Sequence, residues 1–276
     1  MNRREFLGAL AATPAPARRK HASDRILLGP MKVPVSRLAQ GSGTNGVGGS
    51  SNQTRRLGLK GLAELFRAAY GEGVTFWDSA DQYGTHPHVR EALKGVPREN
   101  VCILTKTHAS TETEARADLD RFRRELGTGY IDILLLHGMT DGDWPRRKRG
   151  AMNVIAEARE RGVVRTHGVS CHSVDALRAA ARDPWAQVAL ARINPAGDAM
   201  DADPRTVVAV LQELKAAGKG VIGMKILGQG ALRRRVDEAL GFALSLQCVD
   251  CFTIGAETRE EMLDLVRRIP AASVRA

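Results

Sequence analysis

Two side chains that could do chemistry lie close together in the stretch Val74 to Gly84, which reads V-T-F-W-D-S-A-D-Q-Y-G. The run Val74 to Trp77 has strand propensity and follows a glycine, which predicts Asp78 at the C-terminal end of a short buried strand. A buried carboxylate needs a partner, so we expect the chain to supply a cation that Tyr83 on the adjoining loop would also feel. The alternative is a strand-end aspartate that caps the next turn, beside an ordinary loop tyrosine.

The elements that must position these residues alternate between short apolar runs and segments of helical periodicity. Eight predicted strands, each followed by helical sequence, are Arg37–Ser42, Val74–Ser79, Val101–Thr107, Ile131–His137, Val164–Ser170, Val188–Asn194, Val221–Leu227 and Cys248–Ile254. Eight such units favour an α/β fold with a single (β/α)8 TIM barrel, since a doubly wound sheet usually has fewer units and a glycine-rich dinucleotide turn. The stretch Gly41-Ser42-Gly43-Thr44 does not complete that turn. We therefore expect residues 25–276 to form one barrel, with residues 1–24 outside it.

The C-terminal ends of the predicted strands carry several ionisable residues, and these ends carry the chemistry in such a barrel. The second strand supplies Asp78 with Tyr83 on its loop, and the next two strands supply Lys106 and His137. A single core lysine or histidine is usually a structural residue with a partner. Four ionisable groups converging from three adjacent strands, with charges that can pair, indicate a catalytic site instead.

Five motifs together resemble the aldo-keto reductase superfamily over residues 25 to 270. They are F-W-D-S-A-D-Q-Y-G, L-T-K-T, D-I-L-L-L-H, V-V-R-T-H-G-V-S-C-H and G-K-G-V-I-G-M-K-I-L-G-Q-G. The resemblance implies an NAD(P)-dependent oxidoreductase that reduces an aldehyde or ketone to an alcohol. Its catalytic tetrad falls on Asp78, Tyr83, Lys106 and His137, because both the order and the spacing match.

Carbonyl reduction needs a hydride on carbon and a proton on the oxygen that becomes negative. Tyr83 is the expected proton donor, and Lys106 beside it is expected to lower the pKa of the phenol from its ordinary value near 10. Asp78 would hold Lys106, and His137 could donate a hydrogen bond to the carbonyl oxygen and orient it. Since none of these side chains supplies a hydride, the chemistry requires a nicotinamide cofactor.

Cofactor contacts follow from the resemblance with several departures. Relatives hold the carboxamide with a Ser-Asn pair and a Gln, where this chain has Ser170, Cys171 and Leu190, so Ser170, Asn194 or backbone groups are the candidates. Met224 takes the place of a stacking aromatic residue, and Gly228-Gln229-Gly230 resembles the loop that crosses the diphosphate, with an ordinary glycine turn as the alternative. The full expected set is Gly43, Thr44, Ser170, Cys171, Asn194, Met224, Lys225, Leu227, Gly228, Gly230, Gly255 and Arg259.

The segment I-G-A-E-T-R-E-E-M resembles the part that holds the adenosine end of the cofactor. Arg259 could pair with a 2′-phosphate, whereas Glu257 would repel that phosphate and accept a hydrogen bond from a free ribose hydroxyl. Of these two opposing effects we give more weight to Arg259, and we expect NADP(H) rather than NAD(H).

The composition of the chain limits the classes of binding partner that we expect. The formal charge of +10 comes in part from the N-terminal residues Arg3, Arg4, Arg18, Arg19 and Lys20, and aromatic residues make up only 4% of the chain. Surfaces that bind single-stranded nucleic acid need aromatic platforms, so we expect a small-molecule carbonyl substrate and no nucleic acid. No run is long and apolar enough to span a membrane. The sequence predicts no oligomeric state.

Metal binding is not expected. His86 and His88 lie two residues apart on a predicted loop, but no third ligand accompanies them, which favours substrate-loop or capping residues over a metal site. The pair Cys248 and Cys251 forms C-x2-C inside a predicted strand, where the two side chains would point to opposite faces.

The N-terminus places Arg3-Arg4 before a short apolar stretch and ends in Ala15-Pro16-Ala17, which resembles a small-residue cleavage site. This is similar to a twin-arginine export signal and predicts a periplasmic or exported protein. The alternative is a disordered, uncleaved tail on a cytoplasmic enzyme, because the apolar stretch is short and basic residues follow it at once.

Two other functions remain open. One is a nucleotide-binding redox sensor or partner module on the same barrel with little turnover, which the missing carboxamide ligands motivate. The other is a lyase that uses Lys106 as a Schiff-base amine, although Asp78 should keep that lysine charged and poorly nucleophilic.

Overall fold

The computed structural model describes residues 19–274, which form a closed barrel of eight parallel strands surrounded by helices. The strands are β1 (Arg25–Leu28), β2 (Val33–Ser36), β3 (Leu38–Gly41), β4 (Phe76–Asp78), β5 (Cys102–Thr107), β6 (Ile131–Met139), β7 (Val164–Cys171), β8 (Val188–Arg192), β9 (Gly220–Met224) and β10 (Cys251–Ile254). The helices are α1 (Asn52–Gly71), α2 (His86–Leu93), α3 (Glu112–Leu126), α4 (Trp144–Arg147), α5 (Arg149–Glu160), α6 (Val174–Arg182), α7 (Pro204–Ala216), α8 (Val236–Ser245) and α9 (Arg259–Ser273). Around the barrel the order is β10-β3-β4-β5-β6-β7-β8-β9, which confirms the predicted (β/α)8 fold.

Side chains alternate along the barrel strands between the interior and the helix layer. Phe76, Leu104 and Leu135 belong to the apolar cluster inside the barrel, while their neighbours Trp77, Ile103 and Leu134 pack in the outer core beneath the helices. Because the period is two, the residue two positions after each interior residue points inward at the C-terminal end of its strand. Those residues are Asp78, Lys106 and His137.

The hairpin β1–β2, which we did not predict, pairs antiparallel outside the barrel. Leu28, Val33 and Val35 of the hairpin pack against the interior cluster, and Ser36 Oγ accepts from the backbone N–H of Phe76 at 3.0 Å. The hairpin thus packs at the N-terminal end of the barrel, opposite the ends that carry Asp78 and Lys106.

Two predicted strands end earlier than expected. Val188–Asn194 ends at Arg192, because the Asn194 side chain accepts from the backbone N–H groups of Ala196 and Asp198 in the following loop. Val221–Leu227 ends at Met224, because Lys225 takes a left-handed φ of 58° that no strand continues.

Helix starts are marked by side-chain caps as the sequence chemistry requires. Thr111 accepts from the N–H of Glu114, whose carboxylate accepts from the Thr111 N–H in return, forming a capping box at the start of α3. The same helix ends at Gly127 with φ of 67°, a left-handed cap that glycine adopts without strain.

The fold begins ahead of the predicted boundary at residue 25. Lys20 Nζ donates to the Leu244 carbonyl at 2.5 Å, Ala22 is buried, and Asp24 pairs with Arg37 at 3.1 Å. The twin-arginine-like segment lies outside the described residues. Within residues 19–274, no helix is both long and apolar enough to cross a membrane.

Candidate active site

The cation that Asp78 was expected to need is Lys106 on the neighbouring strand β5. Lys106 Nζ donates to Asp78 Oδ1 at 2.5 Å and to the Ser79 carbonyl at 2.8 Å. The second carboxylate oxygen, Asp78 Oδ2, accepts from Thr253 Oγ1 at 2.9 Å. Lys106 is buried, so the pair is held away from water. This pairing rules out a purely turn-capping role for Asp78.

Tyr83 lies directly over this pair. It ends a single turn of 3-10 helix, Asp81–Tyr83, and Gly84 then reverses the chain with φ of 63°. Lys106 Nζ is 4.9 Å from the centre of the Tyr83 ring, and the His137 ring meets the Tyr83 ring edge-on with centroids 5.6 Å apart. The structure therefore brings all four predicted residues together.

The pKa of Tyr83 differs from the expectation in its net direction. Burial raises it above the ordinary value, and Lys106 lowers it only in part. The lysine acts in the expected sense, but desolvation of the phenolate outweighs it. Tyr83 is therefore protonated at neutral pH and available as a proton donor.

Lys106 remains a cation in this setting. Burial alone would lower its pKa, but the Asp78 carboxylate and Tyr83 raise the pKa above its ordinary value. A protonated amine is a poor nucleophile, which argues against the Schiff-base alternative.

His137 is a neutral imidazole. Burial, followed by the nearby Lys106, lowers its pKa to about 2. His108 stacks on it with centroids 4.7 Å apart, and His172 lies edge-on at 6.4 Å. Within residues 19–274 the Nδ1 atom of His137 has no hydrogen-bond partner. The ring can thus offer a single N–H to a bound carbonyl group. His108 and His172, which follow β5 and β7 directly, were not predicted from the sequence.

A cleft of about 390 Å³ opens from Asp78 and Tyr83 across the C-terminal ends of β9 and β10 to Glu257 and Glu261. This volume is within the usual range for small-molecule sites. Seven of the expected cofactor residues line it: Gly43, Thr44, Met224, Lys225, Leu227, Gly230 and Gly255. Residues that we did not expect also line it, among them Asn52, Arg233 and Glu261. Arg233 comes three residues after Gly230, and this spacing could have indicated from the sequence that Arg233 also lines the cleft.

Other expected cofactor residues lie elsewhere. Both ends of the Asn194 amide are already hydrogen-bonded within the protein. Nδ2 donates to the carbonyls of Asp198 and Lys225 at 2.7 and 3.1 Å, and Oδ1 accepts from the N–H groups of Ala196 and Asp198. The Cys171 thiol is buried in the outer core, which raises its pKa. Neither side chain is free to hold a carboxamide. Leu190 lines the cleft with an apolar surface.

Gly228 and Arg259 do not line the cleft either. Gly228 is buried, where an added Cβ would lie 2.9 Å from Asp198 Cβ, and Arg259 is exposed at the start of α9. Ser170 is buried at the end of β7, and among the described residues its Oγ has no hydrogen-bond partner. That orphaned hydroxyl is the one expected carboxamide contact that still requires a partner.

The residues present fit a nicotinamide dinucleotide. Lys225 lines the middle of the cleft, and its ammonium group has neither a hydrogen bond nor an ion pair to any residue from 19 to 274, so it is available to a diphosphate. The Ser170 hydroxyl, buried near the end of β7, has no partner among the described residues, although Ser170 does not itself line the cleft. At the outer end Glu257 accepts from Asn52 Nδ2 at 2.8 Å and pairs with Arg56 at 2.6 Å.

His86 is neither a substrate-loop residue nor a simple cap. It is buried, with Nδ1 2.7 Å from Glu125 Oε2 and Nε2 2.7 Å from Thr105 Oγ1. Asp81, His86 and Glu125 present ligand-type atoms within 4.8 Å of one another. Arg121 donates to Asp81 at 2.5 Å and to Glu125 at 3.3 Å, so both carboxylates of this cluster already pair with a guanidinium cation.

Known proteins share parts of this sequence and its fold. The model of the Aldo/keto reductase family matches residues 41–250. The chain is 34% identical over 122 residues to an aldo-keto reductase from Mycobacterium avium, covering 40% of this chain and 39% of that protein. It is 33% identical over 81 residues to glycerol 2-dehydrogenase (NADP(+)) from Saccharomyces cerevisiae, covering 29% and 24%. The matches thus span less than half the length of these curated relatives.

A solved structure gives the same fold over a longer span. An aldo-keto reductase from Bacillus halodurans, in its holo form, superposes with a TM-score of 0.71 at 17% identity and covers 91% of each chain. At this level of identity the likeness concerns the barrel alone.

Proposed function

Because this chain belongs to the Aldo/keto reductase family, we propose that it reduces an aldehyde or ketone to an alcohol with Tyr83 as the proton donor. Members of this family are oxidoreductases that use a nicotinamide cofactor. The observation that carries the proposal is the buried Asp78–Lys106 pair, with Nζ 4.9 Å from the Tyr83 ring centre at the inner end of the cleft.

Tyr83 donates its hydroxyl proton to the carbonyl oxygen as negative charge develops there. The Lys106 ammonium group stabilises the phenolate left behind, since opposite charges attract strongly at a buried site. Asp78 and the Ser79 carbonyl fix Nζ in place, so no reorganisation is needed during the reaction. Thr253 fixes the carboxylate in turn.

His137 orients the substrate. A neutral imidazole carries one N–H, which donates to the carbonyl oxygen and leaves the proton transfer to Tyr83. A dihydronicotinamide held in the cleft would supply the hydride. The cleft-lining residues that would hold it are Met224 beside the ring and Lys225 at the diphosphate, together with backbone groups of Gly230 and Gly255. The unpartnered hydroxyl of Ser170, near the end of β7, is the proposed carboxamide contact.

The main alternative is a nucleotide-binding module with little turnover. The apolar Leu190 and the buried Cys171 favour it, because neither side chain is placed to hydrogen-bond the carboxamide of the cofactor. The two functions differ in whether the cofactor-bound protein reduces a carbonyl substrate at a measurable rate.

The test is Tyr83→Phe, which keeps the ring and removes only the hydroxyl. Steady-state oxidation of NADPH with a panel of small aldehydes and ketones should fall by about 10²- to 10⁴-fold, the usual contribution of a general acid. Cofactor affinity, followed by fluorescence titration, should be unchanged. A wild-type protein that binds NADPH but reduces no carbonyl would favour the binding module, and near-normal turnover in the variant would exclude Tyr83 as the proton donor.

NADP(H) is the preferred form of the cofactor in this proposal. The name of the Saccharomyces cerevisiae relative, which includes NADP(+), supports it. Arg56 pairs with Glu257, which lines the outer end of the cleft, whereas Arg259 has no such ion pair among the described residues. Arg56 therefore takes over the role expected for Arg259.

The protein is further proposed to cross the cytoplasmic membrane folded around its cofactor. The motif Arg3-Arg4 ahead of a short apolar stretch supports this, since the twin-arginine route carries folded proteins. Cells expressing the native chain should yield a periplasmic product cleaved near Ala17, whereas the Arg3→Lys, Arg4→Lys variant should stay full-length in the cytoplasm. Two full-length cytoplasmic products would identify the segment as an ordinary tail.

A further inference from the structure

The loop between β3 and α1 is unusually rich in glycine and packs against the proton donor. Residues 43–50, here called the glycine loop, read G-T-N-G-V-G-G-S. The loop lies over the turn that carries Gln82, Tyr83 and Gly84. Nothing in the carbonyl chemistry described above requires glycine in this loop.

Two of these glycines contact opposite sides of the Tyr83 ring. A Cβ added at Gly43 would lie 2.2 Å from Cε2 and 2.4 Å from Cζ. A Cβ added at Gly46 would lie 2.3 Å from Cδ1 and 2.8 Å from Cε1. Side chains do not approach so closely, so only glycine at both positions lets the ring stay where it is.

The glycine loop is itself fixed to the turn that it covers. The Gly46 N–H donates to the Gly43 carbonyl at 3.0 Å, and Gln82 Nε2 donates to the Gly46 carbonyl at 2.9 Å. The Gly49 N–H donates to the Gln82 carbonyl at 3.0 Å. The loop and the tyrosine turn therefore form one hydrogen-bonded unit with the ring enclosed between them.

We infer that Gly43 and Gly46 are positioning residues for carbonyl reduction, which hold the Tyr83 ring so that its hydroxyl stays between Lys106 and His137. The inference rests on the proposed role of Tyr83 as proton donor. Gly43 also lines the cofactor cleft, so the loop joins the cofactor site to the proton donor. Gly46 does not line the cleft, which makes it the cleaner position to alter.

The first experiment is Gly46→Ala, with Gly48→Asn as its matched control. Gly48 is in the same loop with φ of 60°, which asparagine tolerates, and among the described residues no heavy atom lies within 4 Å of a Cβ built there. Gly46→Ala should lower kcat on the order of 10²-fold, as expected for a displacement of the reacting group by about 1 Å. The KM for NADPH should not change, and Gly48→Asn should keep the wild-type kcat. A Gly46→Ala enzyme with wild-type kcat would overturn the inference.

The second experiment asks whether the effect acts through Tyr83. In a Tyr83→Phe background, Gly46→Ala should cost no further rate, because the hydroxyl that it displaces is already gone. In the Tyr83 protein, titration of the phenol should show a higher pKa in Gly46→Ala, since the hydroxyl moves away from the stabilising Lys106. Equal rate losses in both backgrounds would place the effect elsewhere.

Thermal unfolding keeps the contact testable even if the proposed reaction fails or Gly46→Ala folds poorly. Overpacking should lower the Tm of Gly46→Ala by about 2 to 8 °C. Removing the ring with Tyr83→Ala should make the same glycine substitution nearly neutral, whether or not the protein reduces any carbonyl. An undiminished Tm loss in the Tyr83→Ala background would show that the glycine is needed for another reason.

Discussion

The two ends of the barrel each bury a carboxylate against a cation. At the N-terminal end of β6, Asp132 accepts from Arg98 at 2.6 Å, from Arg165 at 3.0 Å and from the Ile103 N–H at 2.9 Å. At the C-terminal end of β4, Asp78 accepts from Lys106 at 2.5 Å and from Thr253 at 2.9 Å. By hydrogen bonding alone the two sites are alike, since each carboxylate is fully satisfied.

The cations differ in what they face. The side chains of Arg98 and Arg165 are 17% and 47% exposed, and both guanidinium groups stack on the Tyr130 ring, at 4.0 and 5.4 Å. Lys106 is 1% exposed and directs Nζ below a tyrosine that lines a cleft. The pair at the C-terminal end thus differs from the other in that its cation also meets the proposed proton donor beside a cleft.

The largest expected effect separates these two pairs. Lys106→Met leaves Asp78 buried without its cation, so the free energy of unfolding should fall by about 3 to 5 kcal/mol. The rate per folded molecule should fall by about 10²- to 10⁴-fold, because the phenolate of Tyr83 loses its stabilising charge. Chemical denaturation and carbonyl reduction measured on the same preparation give both quantities.

Asp132→Asn is the matched control at the other end. It should lower the free energy of unfolding by about 3 kcal/mol while the folded fraction keeps its rate. A Lys106→Met protein as active as wild type would remove the distinction between the two pairs, as would an Asp132→Asn protein that is stable but inactive.

The C-terminal end of the barrel, which carries the proposed catalytic residues, could be predicted from the sequence because the alternation of side chains along a strand governs it. Asp78, Lys106 and His137 each come two positions after an interior apolar residue and lie at or within two residues of a strand's C-terminal end, so the alternation that builds the core also directs these side chains into the site. The Tyr83 pKa could not be predicted, because the balance between burial and Lys106 depends on how closely the surroundings pack around the ring.

The cofactor end could be predicted only in part. Asn194 has the right chemistry for a carboxamide, but its amide closes its own loop, a competition that no spacing reveals. The left-handed φ of Lys225 ends β9 early although lysine has no preference for that conformation. The hairpin β1–β2 is hard to predict from the sequence because β2 contains Pro34. A proline inside a short apolar run argues against a strand unless the strand is at an edge of a sheet.

The second prediction contrasts two buried histidines, one in the site and one outside it. Burial lowers the pKa of His137 to about 2 and that of His167, which stacks on Trp185 at 4.4 Å, to about 4. The unfolded chain binds protons at both below about pH 6.5, but the folded chain does not, so stability must fall as pH falls from 6.5 towards these values. His167 alone should cost about 2 kcal/mol at pH 5 relative to pH 8.

His167→Gln should therefore flatten the decline of unfolding free energy between pH 8 and pH 5 without changing the rate of carbonyl reduction. Denaturation at a series of pH values measures the slope. The rate itself should not fall as pH rises to the ordinary phenol pKa near 10, because burial raises the pKa of Tyr83 above that value and keeps the donor protonated. A slope unchanged in the variant would mean that His167 titrates freely in the folded protein, contrary to its burial.

The smallest expected effect concerns a third carboxylate–cation pair, at the outer end of the cleft. Glu257 is 15% exposed and Arg56 is 57% exposed, so this pair is weak compared with the buried ones.

A 2′-phosphate would be repelled by Glu257 and attracted by Arg56, whereas a free ribose hydroxyl would donate to the carboxylate. Glu257→Gln frees Arg56 and removes the repulsion, so it should tighten NADPH relative to NADH by about 3- to 10-fold, close to 1 kcal/mol. Arg56→Ala should weaken NADPH more than NADH. Arg259→Ala should leave the ratio of the two dissociation constants unchanged, because among the described residues Arg259, unlike Arg56, makes no ion pair with the cleft-lining Glu257. Fluorescence titration with each cofactor measures all three, and a selective loss of NADPH in Arg259→Ala would return the phosphate contact to the residue first expected from the sequence.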